Sequence, residues 1–234
     1  MPRLIAAVVR HGNYRQLPDT PSAHQPFPLD ARGVQQADAC AQTLRQSLLQ
    51  FDCELCRSVD CSRLLRAWQT AQRIVDQFTG DVPGALTVDQ FDALAERGLG
   101  SAANLSVGAI EQVLSEDPRF APPPADWKSN SRYRLPLQGA ESLLDAGERV
   151  AAHMEQRMRQ LSEAARSDTL KVFVGHGAAF RHAAYLMRLF DYEQIARLSM
   201  YHARPVFIEY GGAGQWRHVG GDWKIRASAA QEID

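Results

Sequence analysis

The amino-acid sequence predicts an α/β fold, a three-layer α/β/α sandwich around a mainly parallel central sheet. Two runs, Leu4 to Val9 and Leu170 to Val174, are nearly continuous in apolar residues, which is typical of parallel strands buried on both faces. Segments with apolar residues at helical spacing stand between and after these runs. Strands that alternate with helices favour a parallel sheet covered by helices on both faces.

Length and composition predict one soluble domain over residues 1–234. The chain has 234 residues, of which 45% are hydrophobic and 23% charged, and this suffices for one sizeable core. Its formal net charge of -1 provides no general attraction to nucleic acid or to an anionic membrane. No apolar stretch approaches the roughly 18 residues of a membrane span, and Leu4 to Val9 is too short for a signal peptide. We therefore expect a cytoplasmic protein without nucleic-acid or membrane partners.

The first third of the chain predicts one strand and two helices. The strand from Leu4 ends on Arg10-His11-Gly12, and a proline-punctuated loop follows from Asn13 to Pro28. Asp30 is suited to cap a helix that runs to about Gln50. Ser62 opens a second helix towards Phe78, with apolar residues at helical spacing.

The middle of the chain contains a short strand, a turn, a long loop and a helix. Ala85 to Val88 predicts the strand, and the turn Ala95-Glu96-Arg97-Gly98 follows. The tract 115–138 contains five prolines and predicts a long excursion over the surface. A helical pattern then extends from Glu141 to about Ala165.

The last third predicts a second buried strand and a terminal hairpin. The strand Leu170 to Val174 ends on Gly175-His176-Gly177, and a helix follows from Ala178 to Phe190. Strands over 205–210 and 215–219 flank a glycine-rich turn, which indicates a hairpin. Because ligands bind beyond the carboxyl ends of parallel strands, His11 and His176 are expected at the same functional edge.

The four cysteines do not form a convincing metal or redox motif. Cys53 and Cys56 make a CxxC, but the stretch reads partly as a strand, where positions three apart point to opposite faces. No second CxxC and no histidine pair completes a zinc set. We expect reduced, structural thiols.

Five short motifs occur in a fixed order along residues 4–190. They are Arg10-His11-Gly12, the tract from Ser62 to Arg66 with Ala67 and Thr70-Ala71, Leu94-Ala95-Glu96-Arg97, Gly139-Ala140-Glu141-Ser142, and Gly175-His176-Gly177. Each motif is weak alone. Together they resemble the histidine phosphatase superfamily, and the resemblance implies a phosphoglycerate mutase-like fold.

The resemblance implies a histidine acid phosphatase-type hydrolase of phosphomonoesters, with His11 as the nucleophile. A neutral imidazole, with an ordinary pKa near 6.5, is a competent nucleophile around neutral pH. Arg10, Arg66 and His176 would surround the phosphoryl oxygens, where phosphoryl transfer develops negative charge. Glu96 takes the position of the proton donor.

The resemblance extends to a few further site residues and to the absence of a cofactor. Gly12 and Gly177 would let the backbone approach the phosphate closely, and Asn13 is a candidate contact to phosphate or substrate. The family mechanism needs no metal, and the sequence has no carboxylate and histidine cluster with metal-ligand spacing. The remaining histidines are expected to be surface or packing residues: His24, His153, His182, His202 and His218.

Two features of the chain bear on the choice of reaction and substrate. The interval from Glu96 to Glu141 is shorter than the insertion of a cofactor-dependent mutase, and a less covered site suits hydrolysis, since a mutase must exclude water. Tyr201-His202-Ala203-Arg204 replaces a stretch that is usually small and polar. We therefore expect a phosphatase that acts on a phosphorylated small molecule or a phosphoprotein. A phosphoglycerate mutase, a phosphoprotein phosphatase and a catalytically silent binding module remain alternatives, and the oligomeric state is unassigned.

Overall fold

The computed structural model describes residues 2–21, 24–80 and 84–226. Nine strands occur in these ranges. In chain order they are β1 (Leu4–Arg10), β2 (Glu54–Leu55), β3 (Ser58–Ser62), β4 (Thr87–Phe91), β5 (Thr169–Gly175), β6 (Leu198–Ser199), β7 (Val206–Gly212), β8 (Gln215–Gly220) and β9 (Lys224–Ile225).

Six α-helices occur in the same ranges. They are α1 (Ala31–Phe51), α2 (Leu65–Phe78), α3 (Val107–Glu116), α4 (Leu143–Ala164), α5 (Gly177–Leu186) and α6 (Tyr192–Ile195). The start of α1 is the one that the sequence predicts, because the Asp30 side chain accepts a hydrogen bond from the Gly33 N–H at 2.8 Å. Ser142 and Asp145 form a capping box at the start of α4.

The main sheet has the strand order β4-β3-β5-β1-β7-β8, with β2 paired to β5. Strands β1 to β5 of this sheet are parallel, whereas β7 and β8 are antiparallel additions at one side. One apolar core packs α1 and α2 on one face, and a second packs α4 and α5 on the other. The predicted α/β/α sandwich with a mainly parallel sheet is confirmed.

The two predicted buried strands are neighbours in the centre of the sheet. All seven residues of β1 and all seven of β5 are buried, and Arg10 pairs with Gly175 at their carboxyl ends. The register brings His11 and His176 to adjacent positions. The sequence prediction that both histidines share one edge is therefore confirmed.

A buried ionic network crosses the sheet between β3, β5 and α4. Lys171 interrupts the apolar run of β5, and its ammonium lies 2.7 Å from a carboxylate oxygen of Asp60. Arg157 and His153 contact the other oxygen of the same carboxylate at 2.7 and 3.0 Å. Asp60 is fully buried, and an isolated charge at such a place is costly unless it is paired. The network allows β3 and β5 to carry charged residues inside the core.

Three predicted element boundaries are wrong. Ser62 is the last residue of β3, and α2 begins only at Leu65. The strand predicted over 85–88 lies instead at Thr87–Phe91, where it pairs with β3. Helix α5 ends at Leu186, four residues before Phe190, because the chain enters a turn with Arg188 in the left-handed region.

The predicted surface excursion over 115–138 is instead anchored by a small apolar core. Helix α3 lies just before it, and Trp127 and Leu135 are 1% and 3% exposed. These side chains pack with Leu99, Ile110 and Leu114. Periodicity misses this unit because its buried residues are scattered among prolines. We call residues 99–140 the cap.

The chain beyond α5 and the cysteines agree with the sequence predictions. Strands β7 and β8 form the predicted antiparallel hairpin, although β7 continues to Gly212. All four cysteines are free thiols, and burial raises the pKa of Cys40 to about 12. Among the residues that the structure describes, no helix is long and apolar enough to cross a membrane.

Candidate active site

The site lies at the carboxyl ends of β1, β3 and β5. The backbone N–H of His11 donates to the carbonyl of Gly175 at 2.9 Å, which continues the β1–β5 pairing one residue past the strand. The ring centroids of His11 and His176 are 5.1 Å apart. Both side chains are almost completely buried, at 2% and 0% exposure.

Hydrogen bonds define the tautomer of the His11 ring. Its Nδ1 lies 2.7 Å from the carbonyl oxygen of Gly12. Because a carbonyl oxygen only accepts, Nδ1 carries the proton and Nε2 carries the lone pair. The Nε–H of Arg66 donates to this Nε2 at 3.2 Å. The lone pair of His11 is therefore directed at a cationic side chain.

Arg66 is the residue that connects the two histidines. It lies in the first turn of α2 and is fully buried. Besides its bond to His11, it donates from Nη2 to Nδ1 of His176 at 3.3 Å and from Nη1 to the carbonyl of Gln25 at 2.8 Å. Its guanidinium carbon lies 4.5 Å from the centroid of the Tyr14 ring, a cation–π distance. The neighbouring Arg63 side chain is 64% exposed and lies 3.4 Å from Asp92, outside the site.

His176 is oriented by the last residue of β3. Since Arg66 donates to its Nδ1, its Nε2 carries the proton and donates to the hydroxyl oxygen of Ser62 at 2.9 Å. That hydroxyl also accepts the backbone N–H of Leu64 at 3.2 Å. Ser62 therefore orients His176 from the end of β3. The prediction that it opens the helix is wrong.

Burial and neighbouring cations keep both histidines neutral. Burial is the largest cause that lowers the pKa of His11 well below its usual value, and electrostatic interactions with Arg66, His176, Arg10 and His202 lower it further. The pKa of His176 is lowered by burial and then by Arg66 and Arg10. Burial also lowers the pKa of Arg66, but a guanidinium remains charged at any ordinary pH. The site thus holds neutral imidazoles beside permanent cations.

Arg10 and Gly177 meet at the same strand ends. Arg10 is 9% exposed, and its Nη1 donates to the carbonyl of Met200 at 3.2 Å. A Cβ atom at Gly177 would lie 3.1 Å from the Arg10 side chain, so glycine lets that side chain cross the start of α5. Gly177 thereby permits the observed position of Arg10, and its contact with phosphate stays a prediction.

The other predicted glycine has a packing role in this structure. The N–H of Gly12 donates to the hydroxyl oxygen of Thr70 at 3.0 Å. A Cβ atom at Gly12 would lie 2.5 Å from the carbonyl oxygen of Gly33, too close for any larger residue without a backbone shift. Gly12 thus allows the His11 loop to pack against α1, and its contact with phosphate stays a prediction.

Asn13 connects the loop to the start of α1. Its side-chain amide donates to Asp30 at 2.6 Å, and its backbone N–H donates to the side-chain oxygen of Gln36 at 2.7 Å. These bonds hold the segment that follows His11. They account for an asparagine at this position without a ligand, so its substrate contact stays a prediction.

Glu96 lies in an irregular segment after the 3₁₀ turn Asp92–Leu94. It is 4% exposed, and its carboxylate accepts the backbone N–H of Arg97 at 2.9 Å. An electrostatic interaction with Glu96 raises the pKa of Arg66 against the effect of burial, which places Glu96 within electrostatic reach of Arg66. A buried carboxyl group near a cationic side chain is suited to exchange protons with a leaving oxygen.

Comparison with known proteins identifies the family. The model of the histidine phosphatase superfamily (branch 1) matches residues 7–220. The chain belongs to the histidine phosphatase superfamily. A search of curated protein sequences returned no match.

Solved structures of histidine phosphatase relatives share the fold over nearly the whole chain. A mycobacterial glucosyl-3-phosphoglycerate phosphatase is 21% identical, with a TM-score of 0.65 and coverage of 98% of this chain and 99% of that chain. Phosphoglycerate mutase from Bacillus anthracis is 16% identical, with a TM-score of 0.68 and coverages of 97% and 94%. A phosphoserine phosphatase from Entamoeba histolytica is 18% identical, with a TM-score of 0.58 and coverages of 89% and 90%. At these identities the likeness concerns the fold alone.

The structure adds residues to this candidate site that the sequence analysis does not assign to it. Tyr14 and His202 approach His11 with ring centroids at 5.3 and 5.6 Å, and Ser62 and Gln25 accept hydrogen bonds within the cluster. Tyr14 and Ser62 carried a signal, because Tyr14 lies in the loop directly after the first motif and Ser62 begins the second, although it was expected to open a helix. His153 and His182 are buried packing residues and His218 is exposed, as predicted.

The structure describes no cluster of side chains suited to bind a metal ion. Within residues 2–21, 24–80 and 84–226, no three His, Cys, Asp or Glu side chains are grouped in a way that would hold a metal ion. Metal independence stays a prediction, and a chelator tests it.

Proposed function

We propose that the protein is a metal-independent phosphatase that hydrolyses phosphomonoesters through a phosphohistidine on His11. One observation carries the proposal: the His11 ring is held by its Nδ1–H on the carbonyl of Gly12, while the Nε2 lone pair faces Arg66. This is the state in which an imidazole attacks phosphorus. The lowered pKa of His11 keeps it in that state.

In the first step the phosphoryl group enters between His11 and Arg66. The bond from Arg66 to Nε2 is 3.2 Å long and is given up, so that the lone pair forms the N–P bond while the ester P–O bond breaks. The guanidinium groups of Arg10 and Arg66 then face the equatorial oxygens, whose charge they stabilise. Glu96 transfers its proton to the leaving alkoxide.

In the second step water attacks the phosphorus of phospho-His11. The carboxylate of Glu96 takes one proton from this water, the N–P bond breaks, and its electron pair returns to Nε2. Inorganic phosphate leaves and Glu96 is again protonated. The Gly12 carbonyl stabilises the ring throughout, since Nδ1 keeps its proton and the phosphorylated ring is positively charged.

Hydrolysis is preferred to mutase chemistry, and a small-molecule ester is the preferred substrate. The short interval between Glu96 and Glu141 suits a site that admits water. Two proteins of the same fold are described as a glucosyl-3-phosphoglycerate phosphatase and a phosphoserine phosphatase. The phosphoesters in these names are small molecules. A mutase relative keeps phosphoglycerate interconversion as the second candidate.

The test measures hydrolysis of p-nitrophenyl phosphate by wild-type protein and by His11→Ala, with and without EDTA. His218→Ala serves as the matched control, since it removes an exposed histidine on β8. The expected result is EDTA-resistant hydrolysis that His11→Ala alone abolishes. Rapid quench with a ³²P-labelled ester should trap an acid-labile, alkali-stable phosphoryl group on wild-type protein only.

Two outcomes would overturn the proposal. Wild-type activity in His11→Ala excludes a phosphohistidine on that residue. Interconversion of 3- and 2-phosphoglycerate without phosphate release assigns the protein to the mutases.

A further inference from the structure

We propose that His202 is a positioning residue that holds the His11 ring in line for phosphoryl transfer and separates it from a neighbouring cleft. The proposal rests on the phosphohistidine chemistry proposed above. His202 belongs to none of the family motifs, and it lies in the stretch Tyr201-His202-Ala203-Arg204, where this chain departs from the usual small and polar residues.

Three rings surround His11, and two of them are held by the phosphate-binding cluster itself. Tyr14 contacts Arg66, and His176 bonds to Ser62 and Arg66. The third is His202, with its ring centroid 5.6 Å from that of His11 and tilted by 48°. It therefore confines the His11 ring from the loop 201–204, which carries neither of the other two rings.

The backbone holds this loop firmly against the end of β1. His202 forms an isolated parallel bridge with Arg10, and the N–H of Ala203 donates to the carbonyl of Arg10 at 2.8 Å. Arg10 in turn donates from its side chain to the carbonyl of Met200. The loop that carries His202 and the strand that carries His11 thus form one rigid unit.

The conformation of Ala203 supports the same conclusion. Its φ is 49°, in the left-handed region that residues with a Cβ rarely adopt, and the residue is buried at 3% exposure. Such a conformation persists where the surrounding contacts determine it, and it is frequent near functional sites. Here the conformation of Ala203 turns the chain directly after His202, at the point where the loop meets the end of β1.

On its other side His202 lines a solvent-open cleft of about 640 Å³ between α1 and β7. Gln36, Thr43 and Ser47 of α1 line the opposite side, with Tyr201 and Arg204 beside His202. His202 itself is partly exposed, whereas His11 is buried. The His202 ring therefore stands between the nucleophile and this cleft, and its removal would leave an imidazole-sized space open to solvent.

This geometry makes a specific prediction for the phosphohistidine reaction. The Nδ1–H bond to Gly12 restrains one end of the His11 ring, and the ring contact restrains its tilt. Small misalignments of a reacting group are expensive, up to about a hundredfold for a shift of about 1 Å. We expect His202→Ala to lower kcat for p-nitrophenyl phosphate by about ten- to a hundredfold, with a smaller change in KM.

Two rescue experiments distinguish positioning from a loss of folding. His202→Phe keeps a flat ring in the same place and should recover most of kcat. Free imidazole added to His202→Ala should raise kcat in a saturable manner, because the cleft gives it access to the vacated space. His218→Ala is the matched control: its kcat should equal that of wild type and should not rise when imidazole is added. Circular dichroism melts compare the folding of all variants.

The outcomes separate this proposal from the proposed function. Wild-type kcat in His202→Ala overturns the positioning role, as does a loss that neither Phe nor imidazole restores in a folded protein. The proposed function stands or falls separately on the phosphohistidine trapped in wild-type protein and absent from His11→Ala.

Discussion

Replacing Arg66 by lysine tests whether the site depends on a multidentate cation or on positive charge alone. Toward residues that the structure describes, the guanidinium donates hydrogen bonds to His11, His176 and Gln25 at 3.2, 3.3 and 2.8 Å. Lysine keeps the charge but presents one compact ammonium in place of a planar fork. Arg66→Lys therefore loses at least two of these bonds, and with them donors that the proposed mechanism directs at the phosphoryl oxygens.

The size of the expected rate loss follows from the energy of the lost hydrogen bonds. Hydrogen bonds to charged groups contribute about 1.5 to 3 kcal/mol each, so the two lost bonds amount to about 3 to 6 kcal/mol. Since about 1.36 kcal/mol corresponds to a factor of ten in rate, kcat/KM should fall by about 10² to 10⁴. The loss should appear mainly in kcat, because the oxygens carry the most charge in the transition state.

The assay is the steady-state hydrolysis of p-nitrophenyl phosphate, with Arg63→Lys as the matched control. Arg63 lies just before α2, and its side chain is 64% exposed, so its substitution should leave kcat/KM unchanged. Thermal melts establish that Arg66→Lys is folded, which matters because the bond to Gln25 also holds the 24–28 segment. A folded Arg66→Lys protein within about tenfold of wild type would refute the multidentate role.

Three further predictions concern pH and stability. Because burial and then Arg66 lower the pKa of His11 well below 6.5, we expect the nucleophile to stay neutral in mild acid. A pH profile of kcat/KM in which activity falls with an apparent pKa near 6.5, and which His11 causes, would contradict this. Asp60→Asn should lower the free energy of unfolding in urea by about 3 to 5 kcal/mol, because Lys171 and Arg157 lose a buried partner, whereas the exposed Asp92→Asn should not. Although burial raises the pKa of Asp60, its contacts with His153, Arg157 and Lys171 lower it overall. Wild type should therefore keep this stability above an unfolded pKa of about 3.8 and lose it as the pH falls through the lower folded value, and equal acid unfolding of wild type and Asp60→Asn would exclude it. Trp127→Ala should destabilise the cap by about 3 to 5 kcal/mol, seen as faster proteolysis within residues 99–140, and unchanged cleavage would show that its small core is dispensable.

Several parts of the fold could be predicted because they depend on local patterns. Continuous apolar runs indicate β1 and β5, and the capping side chain of Asp30 marks the start of α1. Boundaries were less predictable where a residue serves long-range contacts. Ser62 has the chemistry of a helix cap, yet it ends β3 because its hydroxyl accepts a hydrogen bond from His176.

The cap and the buried network could not be predicted for a different reason. Trp127 and Leu135 are far apart in an irregular, proline-rich tract, so no periodicity signals that they share a core. Lys171 looks like a polar interruption of a strand, and only the neighbouring β3 shows that Asp60 neutralises it. Both features arise from pairs of residues distant in sequence.

The sequence by itself determined that His11 and His176 follow buried parallel strands and therefore meet at one edge, together with the family and the order of its motifs. Only the tertiary structure decided which nitrogen of each ring carries the proton, that Arg66 bridges the two rings, and that His202 stands beside His11. The physical reason is that apolar periodicity reports burial along one segment, whereas hydrogen bonds and ring contacts depend on the register of strands and the packing of loops. The pairing of Arg10 with both Gly175 and His202 is the point at which those distant segments meet.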